Sequence, residues 1–315
     1  MIDRRDVMRL AATGAALLAA RPALAQAPAK PRTKIVFLGT KGGPRVGVGA
    51  SNPANLVVVN DTPFVIDCGM SVSRQLVNAG VPIPSVKYIF IGHHHSDHNL
   101  EYGNLVYNAW AAGLSTPIHS FGPRGIEAMT KTYWDLNKFD IDTRIEDEGR
   151  PDPRTLLVAK DITEDGVVLQ TADVKVTAFR TPHPPIVDNF AYKFETPDGV
   201  IVFSSDTAYN PKLAEFAKGA DVLVHEALYV PAVDRLVIKT KNGATLKKHL
   251  MESHTTTEDV GRIAAAAGVK VLVLSHFVPG DDPEVTDDNW REGAAKHFYG
   301  RIVIAKDLMQ LTLPV

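Results

Sequence analysis

The stretch YIFIGHHHSDHNL joins a short apolar run to a dense group of metal-binding side chains. His93, His95, Asp97 and His98 fall in the turn after the apolar residues, which themselves predict a buried strand. Side chains alternate along an extended backbone, so His93 and His95 can face the same metal ion. Asp97 and His98 can then turn toward a second ion. Mixed imidazole and carboxylate ligands suit Zn²⁺, with Mn²⁺ or Fe²⁺ as alternatives, whereas His94 should point away and be structural.

This His-x-His-x-Asp-His pattern resembles the metal motif of the metallo-β-lactamase superfamily. Two other stretches resemble the opening strands of that family: IVFLGT before a Gly/Pro-rich loop, and FVIDCG before a short helix. The resemblance runs from residue 34 to the end of the chain. It implies an α/β fold, a four-layer αββα sandwich in which two sheets pack face to face and helices cover their outer faces. The site would then lie along one edge, where strand-end loops converge.

The resemblance also implies the remaining metal ligands, each of which follows an apolar strand. His183, in TPHPP, looks like the third histidine of the first metal position, and His276, in LVLSHF, looks like the last ligand of the second. Asp206, in FSSDT, looks like the carboxylate shared by both ions, although an Asp there could also cap a helix. We therefore expect two Zn²⁺ per chain. The implied sets are His93, His95, His183 and Asp206 for one ion, and Asp97, His98, Asp206 and His276 for the other.

Hydrolysis is the reaction that such a pair of ions supports, because they activate a bridging hydroxide and bind the leaving oxygen. Two further stretches, LVHEAL and SHTTTEDVG, resemble motifs of the ribonuclease Z branch of the superfamily. By that likeness Glu226 orients His254, and His254 donates a proton to the leaving group or binds the developing oxyanion. Alternatively, Glu226 is only a surface acid. His225, beside Glu226 in the same stretch, could contribute to the site or be only a packed side chain at a strand end. The candidate catalytic residues are Asp97, Glu226 and His254.

A small ester is the expected substrate, most readily an aryl sulfate or phosphate ester, as in the arylsulfatase-like subgroup of this branch. Bacterial ribonuclease Z enzymes usually carry a tRNA-gripping arm between the third histidine and the shared aspartate, whereas here the interval from His183 to Asp206 fits only two strands and a turn. A formal charge of −2 and a pI near 6.6 also disfavour nucleic acid as a partner. The alternatives are a ribonuclease Z-like phosphodiesterase or endonuclease, a lactone, β-lactam or carboxylic ester hydrolase, and, least favoured, a non-catalytic metal-binding module.

Two regions are candidates for substrate contacts. Trp110, Tyr133 and Trp134 could form an apolar wall for an aromatic group, although aromatic residues are more often core. The charged, Pro-interrupted segment Asp140–Arg154 is predicted as an exposed, solvated loop, with a lid that closes over the site as the alternative. The arginines that could bind an anion there are Arg144, Arg150 and Arg154.

The elements that must position these residues are short β-branched runs separated by turn signals. The predicted strands are IVFLG, NLVVV, PFVID, VKYIFIG, DVKVTAFRT, FAYKFET, GVIVFSSD, DVLVHEAL, KVLVLSH and RIVIA. Helices are expected over Asn99–Ala112, within GPRGIEAMTKTYWDLN, and over Thr256–Ala267 with a Thr cap. The strands fall into two groups, each closed by helices, which predicts two similar halves stacked sheet on sheet.

The beginning of the chain resembles a twin-arginine export signal. Arg4 and Arg5 precede a mildly apolar stretch and a small-residue cleavage site at Ala23–Ala25. The apolar stretch is shorter than the roughly 20 residues of a membrane span. We therefore predict a signal peptide at residues 1–25, a linker at 26–32 and one hydrolase domain at 33–315, in a periplasmic or secreted protein with no stable membrane span. A cytoplasmic protein is the alternative, and Cys68 is expected to be a buried thiol. The sequence does not give the oligomeric state; the resemblance makes a homodimer one option, since dimers are frequent among relatives.

Overall fold

The structure is a computed structural model that describes residues 32–47 and 49–315. The predicted signal peptide at residues 1–25 lies outside the described residues, as does most of the predicted linker at 26–32. Both therefore stay predictions. Within the described ranges, no helix is long and apolar enough to cross a bilayer.

Fourteen strands form two seven-stranded sheets in the described part of the chain. The strands are β1 (Thr33–Gly39), β2 (Ala54–Val59), β3 (Thr62–Ile66), β4 (Tyr88–Phe90), β5 (Ile118–Pro123), β6 (Leu157–Ile162), β7 (Gly166–Gln170), β8 (Lys175–Arg180), β9 (Phe190–Thr196), β10 (Gly199–Phe203), β11 (Val222–Leu228), β12 (Val271–Val278), β13 (Arg301–Ile304) and β14 (Gln310–Leu313). All ten predicted strands are present. The other four strands, β5, β6, β7 and β14, were not predicted.

Each sheet is antiparallel at one side and parallel at the other. The first has the order β14-β1-β2-β3-β4-β5-β6, with parallel pairing from β3 to β6. The second has the order β13-β12-β11-β10-β9-β8-β7, with parallel pairing from β10 to β13. The predicted division into two sequential halves is correct except at the end of the chain, where β14 returns to pair with β1. Parallel strands end at the same sheet edge, so the loops after them meet there.

The helices lie mainly between the parallel strands. They are α1 (Val72–Asn78), α2 (Ser96–Asn99), α3 (Tyr102–Ala111), α4 (Ile126–Leu136), α5 (Lys138–Glu148), α6 (Pro211–Phe216), α7 (Val230–Val237), α8 (Gly243–Ser253), α9 (Thr257–Ala267) and α10 (Asp287–Ala295). The Thr cap of α9 is confirmed, because the Thr256 hydroxyl accepts a hydrogen bond from the Asp259 N–H. The helix expected over Asn99–Ala112 is divided into α2 and α3, and the short helix α2 carries part of the histidine motif.

Three apolar clusters hold the layers of the fold together. The central cluster joins the inner faces of both sheets and includes Phe37, Phe90, Phe194 and Phe203. A second cluster joins the outer face of the first sheet to α1, α3 and α4, and a third joins the outer face of the second sheet to α6, α9 and α10. This confirms the predicted αββα sandwich, in which every sheet face is covered by another layer.

The prediction of an exposed loop over Asp140–Arg154 is wrong, because most of this segment is helix α5. Arg144 pairs with Asp140 and Glu148, each one helical turn away, and such pairs support a solvent-facing helix. Ile141 is fully buried and anchors the helix to the outer apolar cluster of the first sheet. The helix therefore packs on the side of the sheet that faces away from the central layer.

Candidate active site

The seven predicted metal ligands come together at one edge of the sandwich, although they are far apart in sequence. His93, His95, Asp97 and His98 follow β4, whereas His183 follows β8, Asp206 follows β10 and His276 lies within β12. Three residues at this edge have a left-handed backbone: Asp67 (φ 63°), Ser205 (φ 54°) and His276 (φ 46°). This conformation is uncommon outside glycine and concentrates at functional sites. The sharp turns help to bring the predicted ligands of four strands, β4, β8, β10 and β12, into one small volume.

The first group of predicted ligands surrounds a single point. His93 Nε2 and His95 Nδ1 lie 2.8 Å apart, and His183 Nε2 lies 3.2 Å from His95 Nδ1. Asp206 Oδ2 lies 4.0 Å from both His93 Nε2 and His183 Nε2. One ligand atom from each of these four residues lies within 4.8 Å of the others. The set therefore has the spacing and the chemistry of a metal position.

The second group lies on the other side of Asp206. His98 Nε2 and His276 Nε2 are 3.1 Å apart, and Asp97 Oδ2 lies 3.7 Å and 3.5 Å from them, respectively. Asp206 Oδ1 lies 3.0 Å from His276 Nε2 and 3.3 Å from His98 Nε2. The two oxygens of Asp206 thus face different groups, which is the geometry expected of a carboxylate shared by two ions.

Backbone and side-chain partners fix the orientation of several of these ligands. Asp67 accepts a hydrogen bond from His98 Nδ1 at 2.8 Å, and the Ser253 carbonyl accepts one from His183 Nδ1 at 2.8 Å. Asp97 Oδ2 accepts a hydrogen bond from the Gly43 N–H at 2.8 Å. A histidine whose outer nitrogen donates in this way presents its other nitrogen, with a free lone pair, to a metal.

The loop after β1 approaches the site too closely to accept a larger residue. A Cβ at Gly42 would lie 2.7 Å from His276 Cε1 and 2.7 Å from Val278 Cγ2. The next residues of the loop are held by Lys41, whose buried Nζ donates to the carbonyls of Gly43 at 3.1 Å and Arg45 at 2.5 Å. The loop therefore places the Gly43 N–H that orients Asp97.

Burial and mutual repulsion keep the first group of imidazoles neutral. Burial, together with the neighbouring His98, lowers the pKa of His93 well below its ordinary value. The pKa of His95 is lowered to about 4 by burial and by His183, and burial also lowers the pKa of His183 itself. Although burial opposes it, His276 and His98 hold the pKa of Asp206 well below its usual range. Neutral imidazole and ionised carboxylate are the protonation states that bind metals.

One buried polar atom at the site supports the same conclusion. Asp206 Oδ1 has no hydrogen-bond partner of acceptable geometry. Buried polar groups are normally satisfied, because leaving one without a partner costs about 1–3 kcal/mol. For Asp206 Oδ1, which faces two histidine nitrogens, coordination to a divalent cation would remove that cost. The donor set fits zinc or another borderline divalent ion.

Glu226 and His254 form the predicted pair beside these groups. His254 Nδ1 lies 3.2 Å from Glu226 Oε2, while Glu226 Oε1 accepts hydrogen bonds from the N–H groups of Thr207 (3.2 Å) and Thr255 (2.9 Å). Both members of the pair are buried, so the alternative of a surface acid at Glu226 is wrong. Although burial opposes it, Glu226 raises the pKa of His254 to about 9. His254 Nδ1 also lies 4.0 Å from Asp206 Oδ2, and this histidine could join Asp206 and His276 as a metal ligand.

A cavity of about 250 Å³ opens beside the cluster. His95, Asp97, Asp206, His254 and His276 form its polar end. His249 of α8 also lines it, with its ring 5.9 Å from that of His95 and 6.0 Å from that of His254. The sequence reasoning missed His249, since it belongs to no recognisable motif. Its position five residues before His254, in the run that leads into SHTTTEDVG, was the available signal.

The predicted aromatic wall is wrong. Trp110 and Trp134 are buried in the outer apolar cluster of the first sheet, and Tyr133 packs against it. The Trp110 indole N–H donates to the Pro151 carbonyl at 2.8 Å, so even its polar atom serves the packing of this layer. None of these three residues lines the cavity beside the metal-binding cluster.

The three candidate anion-binding arginines are engaged elsewhere. Arg144 and Arg154 bond to acidic residues of α5 and of the loop that follows it. Arg150 pairs with Glu148, and its guanidinium lies 5.4 Å from the centre of the Trp110 ring. A lid role for this segment is wrong for the same reason as the loop prediction, because the segment is packed on the outer layer.

The remaining polar residues of the motifs have structural roles. His94 Nε2 contacts the Arg124 carbonyl at 3.1 Å, and Asn99 Nδ2 lies 3.1 Å from His94 Nδ1, so His94 is turned away from the cluster as predicted. His225 is fully buried, and its Nδ1 donates to the Glu226 carbonyl at 2.7 Å. Cys68 is a free, buried thiol, which confirms its prediction.

Comparison with known proteins agrees with this geometry. Residues 62–277 match the family described as the beta-lactamase superfamily domain. Ribonuclease Z of Mycolicibacterium gilvum is 28% identical over 281 residues, which cover 87% of this chain and 94% of the relative. The metallo-beta-lactamase fold protein YhfI from Bacillus subtilis (TM-score 0.65, 21% identity) covers 89% of this chain and 99% of its own. The match to human tRNase Z, short form (TM-score 0.63, 18% identity), covers 90% of this chain and 100% of that structure. The chain belongs to the metallo-β-lactamase superfamily and is a hydrolase of that fold, with a His/Asp cluster able to bind metal ions.

Proposed function

We propose that the protein is a metal-dependent phosphodiesterase that uses His254 as the proton donor to the leaving group. The observation that carries this proposal is the buried Glu226–His254 pair at the polar end of the cavity. A hydrogen bond from Nδ1 to a carboxylate fixes the ring and leaves Nε2 as the other functional nitrogen. A proton donor at this position matters most for an alkoxide, which is a poor leaving group without protonation.

The residues at the polar end of the cavity divide the chemical work between them. Two divalent ions, when bound, would act as Lewis acids that activate water and stabilise charge on the oxygens of the reacting centre. Asp206 would hold both ions through its separate oxygens, and Asp97 would hold one of them with its free lone pairs while the Gly43 N–H keeps it oriented. His254 would deliver its proton to the departing oxygen, and Glu226 would stabilise the imidazolium before that transfer.

The choice of a phosphodiester over the other esters draws on the relatives. The matched relative is named a ribonuclease Z, and it aligns over most of both chains. The sequence suggested an aryl sulfate or phosphate ester, chiefly because the interval from His183 to Asp206 leaves no room for an arm. The aromatic wall that could have held an aryl group is not present at the cavity, because those rings are core. A phosphodiester also needs both stabilisation of a phosphoryl centre and protonation of an alkoxide, and the site offers groups for each.

RNA is a second candidate substrate, because the matched relative is named a ribonuclease. Two observations weigh against a long nucleic acid. The interval between His183 and Asp206 contains only the hairpin of β9 and β10, with no additional arm. Arg45 is also the single Lys or Arg among the described residues that line the cavity. Structured RNA is bound largely through contacts to its phosphates, for which basic side chains are the usual partners.

The test is turnover of a panel by the zinc-loaded protein. The panel holds an alkyl aryl phosphodiester, an aryl sulfate, an aryl carboxylate, a lactone, a cephalosporin and a precursor tRNA. We expect the phosphodiester to be cleaved fastest, and Asp206→Ala to abolish that activity. Preference for the sulfate or a carbonyl substrate would refute the phosphodiesterase proposal, whereas efficient tRNA cleavage would establish the second candidate.

Zinc as the metal and export as the route are parts of the same proposal. We expect two zinc ions per chain by elemental analysis, reduced in Asp206→Ala because that carboxylate faces both groups.

For export, Arg4→Lys together with Arg5→Lys should leave the protein in the cytoplasm. Cell fractionation measures that outcome, and equal periplasmic amounts of both forms would contradict the export proposal.

A further inference from the structure

One face of helix α8 forms a wall of the cavity beside the metal-binding cluster. Leu246, His249 and Leu250 all line this cavity, at the spacing of one helical face. Ser253, one turn further along, contacts the site directly, since its carbonyl accepts from His183 Nδ1 and its hydroxyl donates to the Pro184 carbonyl at 2.6 Å. The position of this wall is therefore tied to the position of a predicted metal ligand.

The apolar part of the cavity is firmly packed. Leu236 of α7, Leu250 of α8 and Val278 at the end of β12 line it, and their exposed fractions are 9%, 6% and 4%. These three belong to one apolar cluster with Leu228 and Val233. Side chains held in a packed cluster make a preformed wall, so a ligand would not need to order them.

The size and charge of the cavity restrict what it can hold. Its volume is about 250 Å³, and a cavity of about 150 Å³ lined by Leu, Ile and Phe is known to bind benzene. Among the lining residues that the structure describes, Arg45 alone carries a guanidinium, and it lies 3.3 Å from the Asp281 carboxylate. The space beyond the cluster suits a hydrocarbon group better than a second phosphate.

We propose that this cavity binds a hydrocarbon substituent of the substrate, either one aromatic ring or an alkyl chain of about four to six carbons. This inference rests on the proposed phosphodiesterase function, because the phosphoryl group would lie against the metal-binding cluster while the hydrocarbon contacts the apolar part of the cavity. The substrate class is then a small, amphiphilic phosphodiester. Leu246 and Leu250 determine the preference for the length and shape of the hydrocarbon.

Binding of alkylphosphonates tests this inference without requiring turnover. The zinc-loaded protein is titrated calorimetrically with methyl-, propyl-, butyl-, hexyl- and phenylphosphonate. We expect Kd to fall about fourfold for each added methylene until the cavity is filled, since each buried CH₂ contributes about 0.8 kcal/mol. The heat-capacity change of binding should become more negative along the series, which is the mark of apolar burial.

Two substitutions of Leu246 and one control locate the effect. Leu246→Ser should weaken hexylphosphonate about tenfold while leaving methylphosphonate nearly unchanged, because only the longer chain reaches this wall. Leu246→Phe should have the opposite selectivity and favour the shorter chains, since it fills part of the space. Met251→Ser, on the same helix but 42% exposed and absent from the cavity lining, should change neither.

The outcomes separate this inference from the proposed function. A Kd that is the same for methyl- and hexylphosphonate, or an equal loss for both in Leu246→Ser, would overturn the hydrocarbon site even if phosphodiesters are cleaved. A clear dependence on chain length that is lost in Leu246→Ser would support the site. If the protein showed that dependence and cleaved no phosphodiester, the binding site would stand and the phosphodiesterase proposal would fail.

Discussion

Replacement of Glu226 by Gln gives the sharpest test of the proton-donor role. The Glu226 carboxylate receives three N–H groups: those of Thr207 and Thr255 on Oε1, and Nδ1 of His254 at 3.2 Å on Oε2. A Gln side chain has the same shape but only one acceptor oxygen. If that oxygen keeps the two backbone N–H groups, the amide NH₂ must face His254 Nδ1. The imidazole is then forced to accept at Nδ1 and can no longer be an imidazolium held by a carboxylate.

The size of the effect follows from the step that is lost. General acid catalysis contributes about 10²–10⁴-fold, so Glu226→Gln should lower kcat/KM at least about 100-fold for a phosphodiester with an alkoxide leaving group. For a nitrophenyl ester the loss should be within about fivefold, because nitrophenolate departs without protonation. Replacing a buried charged hydrogen bond should also cost about 1.5–3 kcal/mol of folding stability, measured by urea unfolding.

The assay compares the two leaving groups at equal zinc content, measured for each variant. Glu252→Gln is the matched control, because Glu252 carries the same charge on the exposed side of α8 and should behave as the wild type. An equal loss for both leaving groups at full zinc occupancy would refute proton donation by His254. A loss of activity that simply follows a loss of zinc would show that the pair is structural.

Three further predictions concern the residues around the ligands. Asp67→Asn should lower zinc affinity about 10–100-fold in a chelator titration, because Asp67 orients His98 through a 2.8 Å hydrogen bond; unchanged affinity would contradict that role. Lys41→Met should reduce the unfolding free energy by about 1–3 kcal/mol and weaken zinc binding about tenfold, since Arg45 loses the donor to its carbonyl and the loop beside Asp97 loosens. An effect on stability alone would limit Lys41 to a structural role. In the metal-free protein, the raised pKa of His254 (about 9 instead of 6.5) should add about 3 kcal/mol of stability, fully present below pH 6.5 and lost as the pH rises through 9. Urea unfolding of the wild type and His254→Gln across this range should show the gap closing.

Local pattern was sufficient for most elements and for the layers they form. The runs IVFLG, NLVVV and KVLVLSH are short, β-branched and bounded by turn signals, which leaves little choice but a buried strand. The charged segment over α5 was misjudged, because its helix depends on i,i+4 ion pairs and one buried isoleucine rather than on a continuous apolar stripe. The prolines that suggested a loop, Pro151 and Pro153, follow the helix instead of interrupting it.

The sequence by itself determined the types of ligand and their positions at strand ends, through the spacing of His93, His95, Asp97 and His98 and the likeness to a known motif. Only the tertiary structure decided that Asp206 turns one oxygen to each group, since this depends on strands brought side by side from distant parts of the chain. It also decided which apolar residues line the cavity. Aromatic residues near the motif became core, whereas the leucines of α7 and α8 reached the cavity, because burial is set by which layer covers each face and not by distance along the chain.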